Sequence, residues 1–288
     1  MTSPTALLRS LPLLRCPNCG EGFEETDRGV VCGRGHSFDR ARQGYLTLFG
    51  PRGRRFPGDT PDQVAARERF LGGGWYASVA DAVAGAVRAS SSSPAGGPVV
   101  AEFGAGTGYY LAHVLDGPGP ALGLGADISA AAARRLARAH PDLAALVCDT
   151  WGPLPVADGV VDALLVVFAP RHPAEFARVL RPGGVAVVVT PGDGHLEPLR
   201  SRLGMLGADP TKDARLGEDF AEWEAVGERR VNVRLPLDRE AARDLAVMGP
   251  SGVHLDQADL EVAIDRAFDD TTLPTRLHVR VRVFRRPA

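Results

Sequence analysis

The chain has 288 residues, 44% of them hydrophobic and 24% charged, with a formal net charge of −2. It is long enough for one large domain with a small appendage, and its balance excludes a uniformly basic surface that would bind any polyanion. No apolar run approaches a membrane span and no charged-then-apolar leader opens the chain, so no membrane contact and a cytoplasmic location are expected.

Residues 1–12 read as a loose or weakly helical lead. Residues 13–50 carry Cys16, Cys19, Cys32 and His36 in the spacing C-x2-C-x12-C-x3-H, beside strand-like Gly29–Cys32 and Tyr45–Phe49. Three of the four cysteines fall in this cluster, which is metal-ligand spacing and not a disulfide framework. Cys16-Pro-Asn-Cys19 sets two thiolates on a tight turn, and Cys32-Gly-Arg-Gly-His36 repeats the device with glycines. Three thiolates and an imidazole fill the tetrahedral positions of Zn2+ and leave none for substrate, so a structural Zn2+ is predicted.

The positive charge is concentrated in the same region. Residues 1–56 hold nine arginines against five acids, a balance of +4 that zinc-bound thiolates reduce to +3. The module either staples a small domain that lacks a core or presents Arg40, Arg42, Arg52, Arg54 and Arg55 to nucleic-acid phosphates. Charge placement favours the second.

Gly50–Gly58 is a basic, Gly/Pro-rich linker. Thr60 as N-cap with Pro61 behind it predicts a helix to Leu71, and apolar periodicity predicts another from Tyr76 to Arg88. Ser90–Pro98 interrupts regular structure. Apolar runs at Val99–Phe103, Ala121–Ala126, Leu146–Cys148, Val161–Phe168 and Val185–Thr190 read as buried parallel strands. Helices at Tyr109–Leu115, Ala130–Ala139 (behind Ser129) and Pro173–Leu180 fill the gaps. Val231–Leu235 and Leu277–Phe284 alternate as antiparallel strands do. The fold class is α/β, a doubly wound sheet with an antiparallel edge.

Between the first of these strands and its helix runs Glu102-Phe-Gly-Ala-Gly-Thr-Gly108, the context a nucleotide-binding turn requires. Nineteen residues beyond Gly108, Asp127 ends the next strand, where a carboxylate can accept both ribose hydroxyls of an adenosine group. A dinucleotide fingerprint would need glycine at the position held by Tyr109. Strand-end capping is the competing role for Asp127 and Asp149, and Cys148 reads as a small buried hydrophobe.

Gly104, Gly106 and Gly108 behind Glu102 resemble the first motif of class I S-adenosylmethionine-dependent methyltransferases. Cys148-Asp149 matches their adenine-contacting acidic position, and Arg181-Pro-Gly-Gly184 their turn before the fifth strand. With the zinc knuckle, nearly the whole chain resembles the 23S rRNA guanine-N1 methyltransferases. The likeness is carried by Cys16-Pro-Asn-Cys19, Cys32-x3-His36-Ser-Phe-Asp39, Gln43-Gly-Tyr45, Asp59-Thr60 with Ala66-Arg67, and Phe103–Tyr109. Phe168-Ala-Pro170, Thr190-Pro191 with His195-Leu196, and Met248-Gly-Pro-Ser251 extend it. It is most similar to the actinomycete branch linked to resistance against tylosin- and mycinamicin-type macrolides.

The resemblance implies a seven-stranded class I methyltransferase sheet, S-adenosyl-L-methionine as cofactor, 23S rRNA as partner and methylation of a hairpin-loop guanine at N1. It implies donor contacts from Tyr76, Gly106, Thr107 and His195, beside Glu102, Gly104, Gly108, Asp127 and Asp149. The expected segments are 1–50, a zinc-binding RNA-recognition module; 51–98, a linker with helices covering the cofactor site; and 99–288, the methyltransferase domain. Phe168 is placed to stack on the target base, and carbonyls near Pro170 to read its edge. His172, Asp193 and His195 are the candidates for the proton acceptor. The sequence departs from the family at Gly74-Trp75-Tyr76, where Gly-His-Tyr is usual, and at Val253, where tryptophan is. A small-molecule methyltransferase with a structural zinc cap is the alternative, and a homodimer is possible.

Overall fold

The computed structural model describes residues 5–51, 53–54, 56–90, 97–119, 121–207, 212–254, 256–268 and 271–287. Arg52 and Arg55 lie outside the described residues. The lead is ordered. Thr5 caps a short helix, α1 (Ala6–Ser10), and Leu7, Leu11 and Leu14 are buried against one face of the large sheet described below. Apolar burial gives this segment an order that its short-range pattern does not signal.

A three-stranded antiparallel ribbon follows: β1 (Phe23–Thr26), β2 (Gly29–Cys32) and β3 (Ser37–Asp39). At Gly29 a Cβ would lie 2.1 Å from the Phe38 carbonyl oxygen, so only glycine lets β2 and β3 approach. The next strand, β4 (Leu46–Thr47), leaves the ribbon and joins the large sheet.

Helix α2 (Pro61–Gly72) starts on the predicted Thr60 cap, as a capping box. Gln63 N–H donates to Thr60 Oγ1 at 3.2 Å, and Thr60 N–H donates to Gln63 Oε1 at 3.0 Å. Helix α3 (Ala77–Ser90) follows. The alternating part then runs β5 (Val99–Phe103), α4 (Tyr109–Leu115), β6 (Leu122–Asp127), α5 (Ala130–Leu136), β7 (Leu143–Val147), β8 (Val161–Val167), α6 (Pro173–Val179) and β9 (Leu180–Pro191). After it come α7 (Leu199–Arg202), α8 (Lys212–Asp219), β10 (Glu224–Leu237), α9 (Arg239–Met248), α10 (Gln257–Ala267) and β11 (Leu273–Arg285). The sequence reading assigns no element to α9 or α10. Each opens on an aspartate cap, Asp238 accepting from Ala241 N–H and Asp256 from Ala258 N–H, both at 2.8 Å.

Among the described residues the sheet has eight strands in the order β10-β11-β9-β8-β5-β6-β7-β4, one more than expected. The extra strand is β4, parallel to β7 through Leu46↔Leu146 and Thr47↔Val147. The ribbon segment therefore completes the sheet's far edge. Strands β4 to β9 pair in parallel, and β11 and β10 close the other edge antiparallel. Alternate residues feed two cores: Val185, Val187 and Val189 join α3 and Tyr76 on one face, and Ala186 and Val188 join α1 and Phe176 on the other. From β5 the chain winds one way through β6 and β7, then the other way through β8 and β9. This puts the topological switch point, the usual ligand crevice, between β5 and its neighbours at their carboxyl ends.

Candidate active site and metal centre

The ribbon brings Cys16, Cys19, Cys32 and His36 together, with all four ligand atoms within 4.8 Å of one another. Two turns do this. Gly20 N–H donates to the Cys16 carbonyl and Gly35 N–H to the Cys32 carbonyl, both at 2.8 Å, with Gly20 at φ +77° and Gly35 at φ +81°. Cys19 Sγ and Cys32 Sγ are 3.6 Å apart, and Cys16 Sγ lies 3.7 Å from His36 Nδ1. A tetrahedron with Zn–S bonds of about 2.3 Å has edges of about 3.8 Å, so the residues fit that ion.

Arg28, Arg40 and Arg42 line an open groove of about 500 Å3 on this module, alternating with Asp27 and Asp39. Arg40 lies 3.6 Å from Glu25, and Arg54 is exposed. The acids reduce the local field below what the arginines alone suggest.

At the switch point the glycine loop turns off β5 with Gly104, Gly106 and Gly108 at φ +80°, +55° and +83°. Side chains there would also collide: a Cβ at Gly104 falls 2.8 Å from Ala169 Cβ, and one at Gly108 falls 2.6 Å from Leu136 Cδ1. Asp127 fastens this loop. Its Oδ2 accepts Gly106 N–H and its Oδ1 accepts Ser129 N–H, both at 2.8 Å. The carboxylate set aside for ribose hydroxyls thus already takes two backbone donors and keeps about two lone-pair sites for a ligand. Asp149 accepts Trp151 N–H at 2.9 Å, and burial pushes the neighbouring Cys148 thiol up to about 12, which leaves it inert.

Glu102 is wholly buried beneath the loop, where its Oε2 accepts Leu111 N–H of α4 at 3.2 Å. It fixes the loop to its helix from inside. Burial outweighs that hydrogen bond and pushes the carboxyl up to about 8. An unfolded glutamate ionises near 4.5, so between 4.5 and about 8 the folded state holds the extra proton and stability falls as pH rises. Glu102→Gln, fixed in the neutral form, is expected to flatten that slope and to exceed the parent by about 2–4 kcal/mol at a pH of about 9 in denaturant titrations. A parent chain without the slope would refute this.

Four aromatic rings, Phe70, Tyr76, Phe168 and His195, follow one another in contact. Tyr76, just before α3, lies edge-on to Phe70 (5.1 Å) and tilted against Phe168 (6.2 Å), which stacks on His195 (6.0 Å, 25°). Phe168 is 42% exposed and sits at φ +54°, a strained conformation for a bulky residue that turns it out of β8. Pro170 is exposed two residues on. Thr107 lies in the glycine loop, partly accessible.

His195 is buried, and its Nδ1 accepts His278 N–H at 3.3 Å. Burial pushes its pKa down to about 4. The ring is therefore neutral near pH 7, with the proton on Nε2, and it serves as a donor. His172 caps α6, Nδ1 accepting Glu175 N–H at 3.4 Å. Each of these histidines thus turns Nδ1 toward a backbone N–H. Asp193 is exposed, 3.6 Å from Arg280. Two residues that the sequence marks only as part of the resemblance, Asp59 and Arg67, form an ion pair beside the glycine loop.

A zinc-ribbon family model described as "RlmA, N-terminal" matches residues 14–51, and one described as "Methyltransferase domain" matches residues 101–188. With the sheet order and the four-ligand centre, these define an S-adenosylmethionine-dependent methyltransferase of class I carrying a structural zinc ribbon. The 23S rRNA (guanine(748)-N(1))-methyltransferase of Streptomyces fradiae is 44% identical over 249 residues, 86% of this chain and 88% of that one. A Micromonospora griseorubida protein assigned to the 23S rRNA (guanine-N1) methyltransferases is 46% identical over 279 residues, 91% of this chain and 94% of its own. Bacillus subtilis YxjB, with the same assignment, is 30% identical over 249 residues, 83% and 86% of the two chains. The chain belongs to the 23S rRNA (guanine-N1) methyltransferase family. Among the described residues no helix is long and apolar enough to cross a membrane.

Proposed function

We propose that this chain methylates N1 of a guanine in a hairpin loop of 23S rRNA, with S-adenosylmethionine as donor, and that it acts in the cytoplasm, where ribosomal RNA resides. The observation that carries the reading is 44% identity to the Streptomyces fradiae guanine-748 enzyme across 86% of the chain. A role in resistance to tylosin- and mycinamicin-type macrolides rests on the resemblance of the motifs to that branch.

When bound, the donor supplies a methyl group already activated as a sulfonium. The chain's own residues position and shield. Gly104, Gly106 and Gly108 let the loop backbone approach a ligand closely, and Asp127 with Glu102 holds it in place. Buried Tyr76 backs Phe168, whose exposed ring is offered to an extruded base. His195 presents a fixed N–H beside that ring. Guanine N1 must lose its proton before or during transfer. With both histidines engaged through Nδ1, that role passes to Asp193 or to water.

The test is incubation with 23S rRNA and labelled donor, followed by primer extension. N1 methylation blocks Watson–Crick pairing, so a single stop at one hairpin-loop guanine is expected. Incorporated label with no stop would move the methyl group to another atom, and no incorporation would refute the reading.

A further inference from the structure

The amino-acid end of S-adenosylmethionine is a zwitterion, yet Gly104, Ala105, Gly106 and Thr107 offer it no charged side chain. Charge reaches the loop from the linker. Arg67, on α2, lies along Gly106, where a Cβ would stand 3.4 Å from its Cδ and Nη1. The guanidinium is gripped from two sides. Nη1 donates to Asp59 Oδ2, and Nη2 donates to the Met248 carbonyl at 2.7 Å.

Asp59 is itself anchored, its carbonyl accepting the Ser129 hydroxyl at 2.6 Å. Ser129 N–H and Gly106 N–H meet on the two oxygens of Asp127. The circuit Gly106–Asp127–Ser129–Asp59–Arg67 therefore closes on the glycine loop. Gly58, at φ +69°, presses the linker against this turn, since a Cβ there would fall 2.8 Å from Ile128 Cγ2. Yet neither charged group is sealed in: the Arg67 and Asp59 side chains are 24% and 32% accessible. These bonds use two of the five N–H donors of Arg67, and a carboxylate matches the guanidinium fork in geometry.

We propose that Arg67 and Asp59 form the receptor for the donor's α-amino-acid end, Arg67 taking the carboxylate and Asp59 the ammonium. This rests on the donor reading above. The pair binds and positions; it takes no part in proton or methyl transfer. Its place in the linker gives residues 51–98 a direct task at the cofactor, beyond covering it.

The test compares two ligands by calorimetry on the zinc-loaded full chain. S-adenosylhomocysteine carries the amino-acid end, and 5′-methylthioadenosine shares the nucleoside thioether but lacks it. Arg67→Met is expected to lose about 10- to 100-fold in affinity for S-adenosylhomocysteine while holding 5′-methylthioadenosine within about twofold. Arg67→Lys should restore part of the loss, and Asp59→Asn should reproduce it more weakly. Equal losses for both ligands would make the ion pair a structural staple and overturn the proposal, as would unchanged affinity for S-adenosylhomocysteine. Failure of the unmutated chain to bind either ligand would instead bring down the donor reading on which it rests.

Discussion

Replacing Cys32 by serine is expected to release the metal and unfold β1–β3 while leaving β5–β9 folded. The ribbon has little core of its own: Val30 is buried, but Phe23 and Phe38, stacked edge to face at 5.6 Å, are only partly so. In a module of this size metal binding is folding energy, about 10–16 kcal/mol for structural zinc sites near neutral pH. The large sheet has two continuous cores, to which the ribbon adds only Val30 and the partly buried Phe23 and Phe38. Its edge strand β4 is the exception, because the ribbon delivers it to β7. Hydrogen exchange should therefore show lost protection over residues 23–39, weakened protection at β4 and intact protection in β5, β6, β8 and β9. A chelator added to the unmutated chain should give the same pattern. Uniform loss across the sheet would mean that the ion holds the whole molecule together, and unchanged exchange in the ribbon would remove the metal from the account of its stability.

The second large effect is expected at Asp127. Replacement by alanine strips the Gly106 and Ser129 N–H groups of their acceptor in a buried setting, at about 1–3 kcal/mol each. The glycine loop then loses the bond that sets its height over β6, and any ligand contact the carboxylate makes goes with it. Affinity for S-adenosylhomocysteine should fall about 100-fold or more, while gel-shift affinity for the rRNA hairpin stays near that of the parent. Asp127→Asn keeps one acceptor and should fall between the two. Donor affinity unchanged in the alanine variant would show that the loop does not hold the cofactor.

Features encoded by neighbours in the chain were legible before the fold was known. The metal ligands are a spacing, the glycine loop is a run of seven residues, and β5 and α4 begin and end where the apolar pattern changes period. Thr60 and Ser129 cap their helices through donors three residues away. Such signals act within a turn or two, so one stretch of sequence holds the whole interaction.

What escaped the linear reading depends on partners far apart in the chain. Leu46, strand-like in the sequence, joins the large sheet and not the ribbon because it meets Leu146, a hundred positions on. His195 becomes a donor because the backbone N–H of His278 occupies its other nitrogen. Arg67 reaches the glycine loop only when α2 packs on α9, where Arg69 Nε donates to buried Asp244 at 3.0 Å. Spacing could nominate each of these side chains. The protonation, orientation and charge partner that decide their chemistry come into being when remote segments share one low-dielectric interior.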